Sequence, residues 1–161
     1  MASADEIIEA CREARALPAN AANCNEFVIA AAGKCGVTLS GNADQIMREI
    51  TSPPWEQMGH DGVRASAAAA NGAFVVGGMT SQALGDAHGH VVIVVKGPLA
   101  HGKYPTAYWG SQNPAIRQDG GVGTTINFSF NVNDRDRVIY ACRSIDIIGT
   151  GVRDPGGGPP P

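Results

Sequence analysis

Apolar positions three or four residues apart predict a helix at the start of the chain. The residues with this spacing are Ile7, Ile8, Cys11 and Ala14. Ser3 and Glu6 stand at the capping-box spacing, in which each side chain satisfies a backbone donor of the first turn. We therefore predict a first helix that starts after Ser3 and ends before Pro18, followed by an Asn-rich break over 20–23.

The same signals predict further helices before residue 72. Asn23 and Glu26 repeat the capping-box spacing, so a second helix is predicted to start after Asn23. Asn42 and Gln45 repeat it again and predict a short third helix, which a Pro-Pro pair ends. The Ala-rich segment 62–71 is also predicted to be helical.

Strand patterns dominate the rest of the chain. The segment 90–95 is β-branched and continuous, as in a strand that is buried on both faces. Other strands are predicted at 73–76, 106–109 and 124–130, and 138–142 is predicted to be a last strand or a helix end. Helices first and strands second indicate an α+β fold with N-terminal helices packed on a mostly antiparallel sheet.

Composition indicates a single globular domain and argues against some classes of function. The chain has 161 residues, 43% of them hydrophobic and 17% charged, which suits one domain over 1–152 with a packed core. The Gly/Pro tail 153–161 is predicted to be disordered. The net charge of −3 argues against broad nucleic-acid binding, and no apolar run is long enough for a membrane span. The N-terminus lacks the pattern of a signal peptide.

Cys24 is the most informative position for chemistry. It would be the first residue of the second helix, where unpaired backbone amides carry partial positive charge. Such a site lowers the pKa of a thiol and can hold the oxyanion of a tetrahedral intermediate. The alternative is that Cys24 is a small buried apolar residue.

A thiol nucleophile needs a base, and His90 is the best candidate. His88 and His90 flank Gly89 at the start of the strongest strand and point to the same side, and His90 is joined directly to the strand. His60 and His101 stand in Gly-rich polar segments and are predicted to be surface residues. His88 and His90 with Asp86 have a spacing that a metal site could use, but no accompanying zinc motif is present, and we predict no cofactor.

Two motifs resemble those of known enzymes. The segment 23–28, Asn-Cys-Asn-Glu-Phe-Val, resembles the nucleophile motif of the papain-like NlpC and CHAP peptidoglycan amidases, and 89–94 resembles their histidine motif. Further motifs occur in the same order as in the first family of type VI secretion amidase effectors: Gly36-Val37, Gly41-Asn42-Ala43, Gly97-Pro98-Leu99, Lys103-Tyr104-Pro105, Gly110-Ser111 and Asp134-Arg135-Asp136-Arg137.

This resemblance, which covers about 5–145, implies a function. It implies a papain-like fold and a cysteine peptidase that cuts peptidoglycan stems between γ-D-glutamate and meso-diaminopimelate. Cys24 would be the nucleophile, His90 the general base and acid, and the Cys24 backbone amide the oxyanion donor. The type VI apparatus would deliver the protein from the cytoplasm, without a signal peptide, to the periplasm of a rival cell. A periplasmic immunity protein would protect the producer.

The resemblance leaves the group that orients the histidine open. Ser111, Gln112, Asn113 or a backbone carbonyl of 108–109 are the candidates. This chain has Ala-Tyr-Trp-Gly-Ser at 107–111, where the best known family member has a segment that contains cysteine. A role of that cysteine therefore cannot be assigned to any residue of this segment.

The resemblance also suggests a disulfide between Cys11 and Cys142 in the oxidising periplasm, with two free thiols as the alternative. Two other functions stay open for the protein as a whole. One is a housekeeping or phage amidase of the same fold, and the other is a non-catalytic cell-wall-binding module.

Overall fold

A computed structural model describes residues 3–111 and 122–145, and they form an α+β arrangement. The helices are α1 Ala4–Arg15, α2 Pro18–Ala21, α3 Cys24–Lys34, α4 Ala43–Ile50, α5 Gly62–Ala70 and α6 Ser81–Leu84. The strands are β1 Glu56–Gly59, β2 Phe74–Met79, β3 His90–Val94, β4 Thr106–Tyr108, β5 Val122–Thr125 and β6 Ile139–Arg143. The boundary predicted at 152 and the tail 153–161 lie outside the described residues.

The strands form one sheet in the order β1-β6-β2-β3-β4-β5, and every pairing between neighbours is antiparallel. The prediction of an α+β fold with an antiparallel sheet is therefore confirmed. At the centre, β2 pairs with β3 so that Val75 lies opposite Val94 and Met79 lies opposite His90. His90 thus begins a strand whose backbone is held by a neighbour along its whole length.

Both faces of the sheet are buried at its central strands, and β3 contributes to each. Val91 and Ile93 belong to the apolar cluster that includes residues of α1, α3 and α4. Val92 and Val94 belong to a second cluster, which contains Trp109. Successive side chains of a strand point to opposite faces, so a strand that is apolar at every position is the expected solution here.

The caps of α1 and α4 form as predicted. Ser3 and Glu6 exchange both capping-box hydrogen bonds, and so do Asn42 and Gln45. α3 begins at Cys24 as predicted, but the prediction of a capping box between Asn23 and Glu26 is wrong. The Asn23 side chain makes no cap hydrogen bond, and its amide nitrogen donates to a carbonyl of α2 at 3.2 Å. Part of the predicted break over 20–23 is instead the short helix α2, which opens on a proline.

The predicted strand over 124–130 is only half right. β5 ends at Thr125, and a 3-10 helix follows at Ile126–Phe128. The Ile126 backbone N–H donates to the Pro105 carbonyl, and the Ile126 carbonyl accepts from Ser129 and Phe130, so the chain turns there. The polar–apolar alternation predicts that Ile126, Phe128 and Phe130 are buried together, whereas the turn buries Ile126 and Phe130 and leaves Phe128 55% exposed.

The predicted disulfide between Cys11 and Cys142 is also wrong. All four cysteines are free thiols. Cys11 lies in the cluster under α1 and α3, together with Cys35, whereas Cys142 lies in the cluster on the opposite face of the sheet. The sheet itself separates the two sulfurs.

None of the helices within 3–111 and 122–145 combines the length and the apolar character that crossing a membrane requires.

Candidate active site

One cleft brings together the two residues that the sequence singled out for chemistry. Its volume is about 690 Å³, and Cys24 and His90 both line it, with Ser111, Ser129 and Phe130. Cys24 comes from the first turn of α3, and His90 comes from the first residue of β3. The cleft therefore lies where a helix N-terminus meets the end of the central strands.

The Cys24 sulfur is half-buried and surrounded by backbone polar groups. Its thiol donates to the carbonyl of Gly89, with a sulfur–oxygen distance of 3.9 Å. Burial raises the pKa of the Cys24 thiol, and hydrogen bonds from the backbone N–H groups of Val91, Asn25 and Cys24 itself lower it in part. The net pKa is raised, whereas the position at the helix start predicts a lowered pKa, because desolvation outweighs the backbone hydrogen bonds.

His90 is held by two contacts on its ring. Its Nε2 lies 2.5 Å from the hydroxyl oxygen of Ser129. The ring of Phe130 packs beside it, with ring centroids 5.1 Å apart and planes inclined by 59°. Burial lowers the pKa of His90 to about 4, because the charged imidazolium loses its hydration there. At neutral pH the resting site therefore contains a neutral imidazole and a neutral thiol.

Gly89 connects the two residues, and its surroundings leave no room for a side chain. A Cβ at this position would stand 2.7 Å from Oδ1 of Asp44 and 2.8 Å from the carbonyl oxygen of Met79. Asp44 is itself fixed, because it accepts hydrogen bonds from the backbone N–H of Ser81 at 2.7 Å and from the Ser81 hydroxyl at 2.5 Å. These bonds lower the pKa of Asp44 and join α4 to α6 at the edge of the cleft.

We predict that Gly89→Ala destabilises the protein by about 1–3 kcal/mol, because the added methyl must displace a fixed carboxylate or a strand carbonyl. Urea unfolding measures this effect. Gly33→Ala is the matched control, because no atom lies within 4 Å of a Cβ there and the position is helical. Gly33→Ala should be neutral or stabilising, by up to about 1 kcal/mol. Equal unfolding midpoints for both variants would contradict this account of Gly89.

The candidates for the group that orients His90 differ in what the structure shows of them. Ser111 lines the cleft, and its backbone N–H donates to the Ala21 carbonyl at 3.0 Å. Gln112 and Asn113 lie outside the described residues. The Trp109 carbonyl accepts a hydrogen bond from Nε of Arg15 at 2.7 Å.

Sequence reasoning missed Ser129, the residue whose hydroxyl contacts His90. The available signal was weak: a serine stands between two phenylalanines in a segment predicted to be a strand. Only the turn after Thr125 brings its hydroxyl to the imidazole.

The other histidines lie at the surface or at the edge of the cleft. His60 and His101 are exposed, and Nδ1 of His60 lies 3.1 Å from the Val138 carbonyl oxygen. His88 is exposed and lines the cleft beside Asp86. Within the part of the chain that the structure describes, no three His, Cys, Asp or Glu side chains gather into a group that could hold a metal ion.

A cysteine at the start of a helix and a histidine at the start of a strand, sharing a cleft in an α+β fold, define the papain-like class of amidase folds. No protein-family model matches the chain. The chain is 33% identical to the peptidoglycan amidase Tse1 of Pseudomonas aeruginosa strain PAO1 over 127 residues, which are 78% of this chain and 78% of the relative. It therefore belongs to the family of Tse1, and the resemblance to the first family of type VI secretion amidase effectors is confirmed.

Proposed function

We propose that this protein is a cysteine-dependent peptidoglycan amidase. The observation that carries the proposal is the shared cleft: Cys24 and His90 line it together, in a chain whose relative Tse1 is a peptidoglycan amidase. Polar side chains line much of the cleft beside a few apolar ones, among them Leu84 and Phe130, so that a peptide in it finds both hydrogen-bonding groups and apolar contact. Cys24 is the nucleophile, and His90 is the general base and acid.

The first step is a proton transfer within the cleft. His90 takes the proton from the Cys24 thiol, and the thiolate attacks the carbonyl carbon of the stem peptide. Because burial raises the pKa of the thiol and lowers that of the imidazole, the charged pair is not the resting state. The ion pair forms together with the attack, when the new charge moves onto the substrate oxygen.

The helix N-terminus supports the charge that develops. The carbonyl oxygen becomes an oxyanion beside the Cys24 backbone N–H, which opens α3 and has no carbonyl partner within the helix. The imidazolium of His90 then protonates the leaving amine, and the carbon–nitrogen bond breaks. Water, deprotonated by the same imidazole, hydrolyses the thioester and regenerates the free thiol.

The finer assignment of substrate and route is part of the proposal, and membership of the Tse1 family supports it. We assign the cut to the bond between γ-D-glutamate and meso-diaminopimelate, and the delivery to a type VI secretion apparatus. The protein would act in the periplasm of the target cell as an antibacterial toxin. The producing cell would be protected by a periplasmic immunity protein that covers the cleft.

Digestion of purified sacculi tests the activity and the bond together. We expect the protein to release stem fragments whose masses show one added water per cut, with a new amine on diaminopimelate and a new γ-carboxyl on D-glutamate. Mass spectrometry of the soluble fragments measures this result. Binding to sacculi without any fragment would support a binding module instead, and cleavage of the glycan strand would overturn the amidase proposal.

A further inference from the structure

The hydroxyl of Ser129 contacts the imidazole that the proposed mechanism uses as its base. The hydroxyl oxygen lies 2.5 Å from Nε2 of His90, and only 8% of Ser129 is exposed. We propose that Ser129 is the positioning residue of this site: it accepts a hydrogen bond from Nε2–H of His90 and leaves Nδ1 as the nitrogen that takes the thiol proton. This inference rests on the proposed function of Cys24 and His90 and identifies the group that orients the base.

The backbone holds Ser129 in place from several directions. The N–H groups of Ser129 and Phe130 both donate to the Ile126 carbonyl, each at 2.9 Å. Ile126 is fully buried, and its own N–H donates to the Pro105 carbonyl at 3.0 Å. The hydroxyl is therefore carried by a hydrogen-bonded turn that is anchored in the core. A positioning residue requires such a rigid support.

The imidazole is fixed between a strand and an aromatic ring. The backbone of His90 pairs with Met79 of β2, and the imidazole ring packs against Phe130. These contacts limit where the ring lies, but an apolar neighbour does not distinguish the two orientations of the ring that differ by a half-turn. A hydrogen bond to one nitrogen does, because turning the ring over would exchange that nitrogen for a carbon. Ser129 supplies this distinction.

The tautomer follows from the proton count on the ring. A neutral imidazole has one N–H and one lone pair, and burial keeps His90 neutral at pH 7. With Ser129 accepting from Nε2–H, the lone pair lies on Nδ1. In the first step the Cys24 S–H bond breaks and an Nδ1–H bond forms. Ser129 continues to accept from Nε2–H in the imidazolium, and loss of the Nδ1 proton to the leaving amine restores the starting tautomer.

The test compares Ser129→Ala and Ser129→Thr with wild type on a purified stem peptide. Ser129→Ala is expected to lower kcat by about 10- to 100-fold with KM changed less than about twofold, as for other partners that orient a functional imidazole. Ser129→Thr keeps the hydroxyl and should recover most of the lost kcat. Ser66→Ala removes another buried serine hydroxyl, on α5 and outside the cleft, and should retain the wild-type kcat.

Nitrogen-15 NMR of His90 separates a positioning role from a merely structural one. Wild type should show one tautomer protonated at Nε2, and Ser129→Ala should show both. A Ser129→Ala protein with the wild-type kcat and tautomer would overturn the proposal, and so would these effects arising from Ser111→Ala instead. If Cys24→Ala retains activity, the proposed function fails, while the NMR result still decides the hydrogen bond between Ser129 and His90.

Discussion

Cys24→Ala is expected to lower kcat on peptidoglycan stems by at least about 1,000-fold and to leave the fold intact. The alanine has no atom that can form the thioester, and the activity that remains comes from binding and the oxyanion donors alone. The sulfur is only half-buried, so its removal should change the free energy of unfolding by about 1 kcal/mol or less. Release of soluble fragments from sacculi measures the activity, and thermal unfolding measures the fold.

Cys142→Ala is the matched control for this prediction. Cys142 is also a free thiol, but it lies in β6 within the apolar cluster and away from the cleft. It should retain full activity. Lysis by Cys24→Ala at the wild-type rate would remove the cysteine mechanism, whatever the control shows.

His90→Gln is expected to abolish activity and also to change how stability depends on pH. The folded-state pKa of His90 is about 4, below the ordinary value of 6.5, so the unfolded chain binds a proton that the folded chain does not. Stability of wild type should therefore fall as pH falls from about 6.5 to about 4, by up to about 3 kcal/mol, and this loss should be absent in the variant.

Urea unfolding of both proteins at pH 7 and pH 4 measures this difference. Besides His90, the titratable residues at the cleft are Cys24, Asp44, Asp86, His88 and Asp134. They are common to the two proteins, so their contributions cancel when the pH dependences are compared. Parallel stability curves for wild type and His90→Gln would show that His90 is not held neutral by burial. The glutamine still offers an amide N–H to Ser129, which limits other changes at the site.

Local patterns were sufficient to predict α1 and α4. The residues that define α1 and α4 lie within a few positions of one another, so capping and apolar spacing are visible in the sequence. The chain also shows its central strand, because β3 is buried on both faces and is therefore apolar throughout. α2, β1 and α6 were not predicted. β1 is a short edge strand in which only Met58 is buried, so it has no apolar pattern.

The disulfide shows why pairing cannot be inferred from positions near the two chain ends. Cys11 and Cys142 are both buried, and both lie on elements that the sequence predicts. Which face of the sheet each one reaches depends on the register of β6 and on where α1 packs. These are long-range contacts, and the sequence alone contains no local sign of them.

The sequence alone predicted Cys24 and His90 as the candidate pair and indicated the α+β class, because the start of a helix and the start of a strand depend on neighbouring residues. Only the tertiary structure decided what surrounds them. Burial raises the pKa of the thiol and lowers that of the imidazole, because neighbouring elements remove water from both groups. The partner of the imidazole, Ser129, comes from a turn after β5, and only the packing of that turn beside the start of β3 brings its hydroxyl to His90.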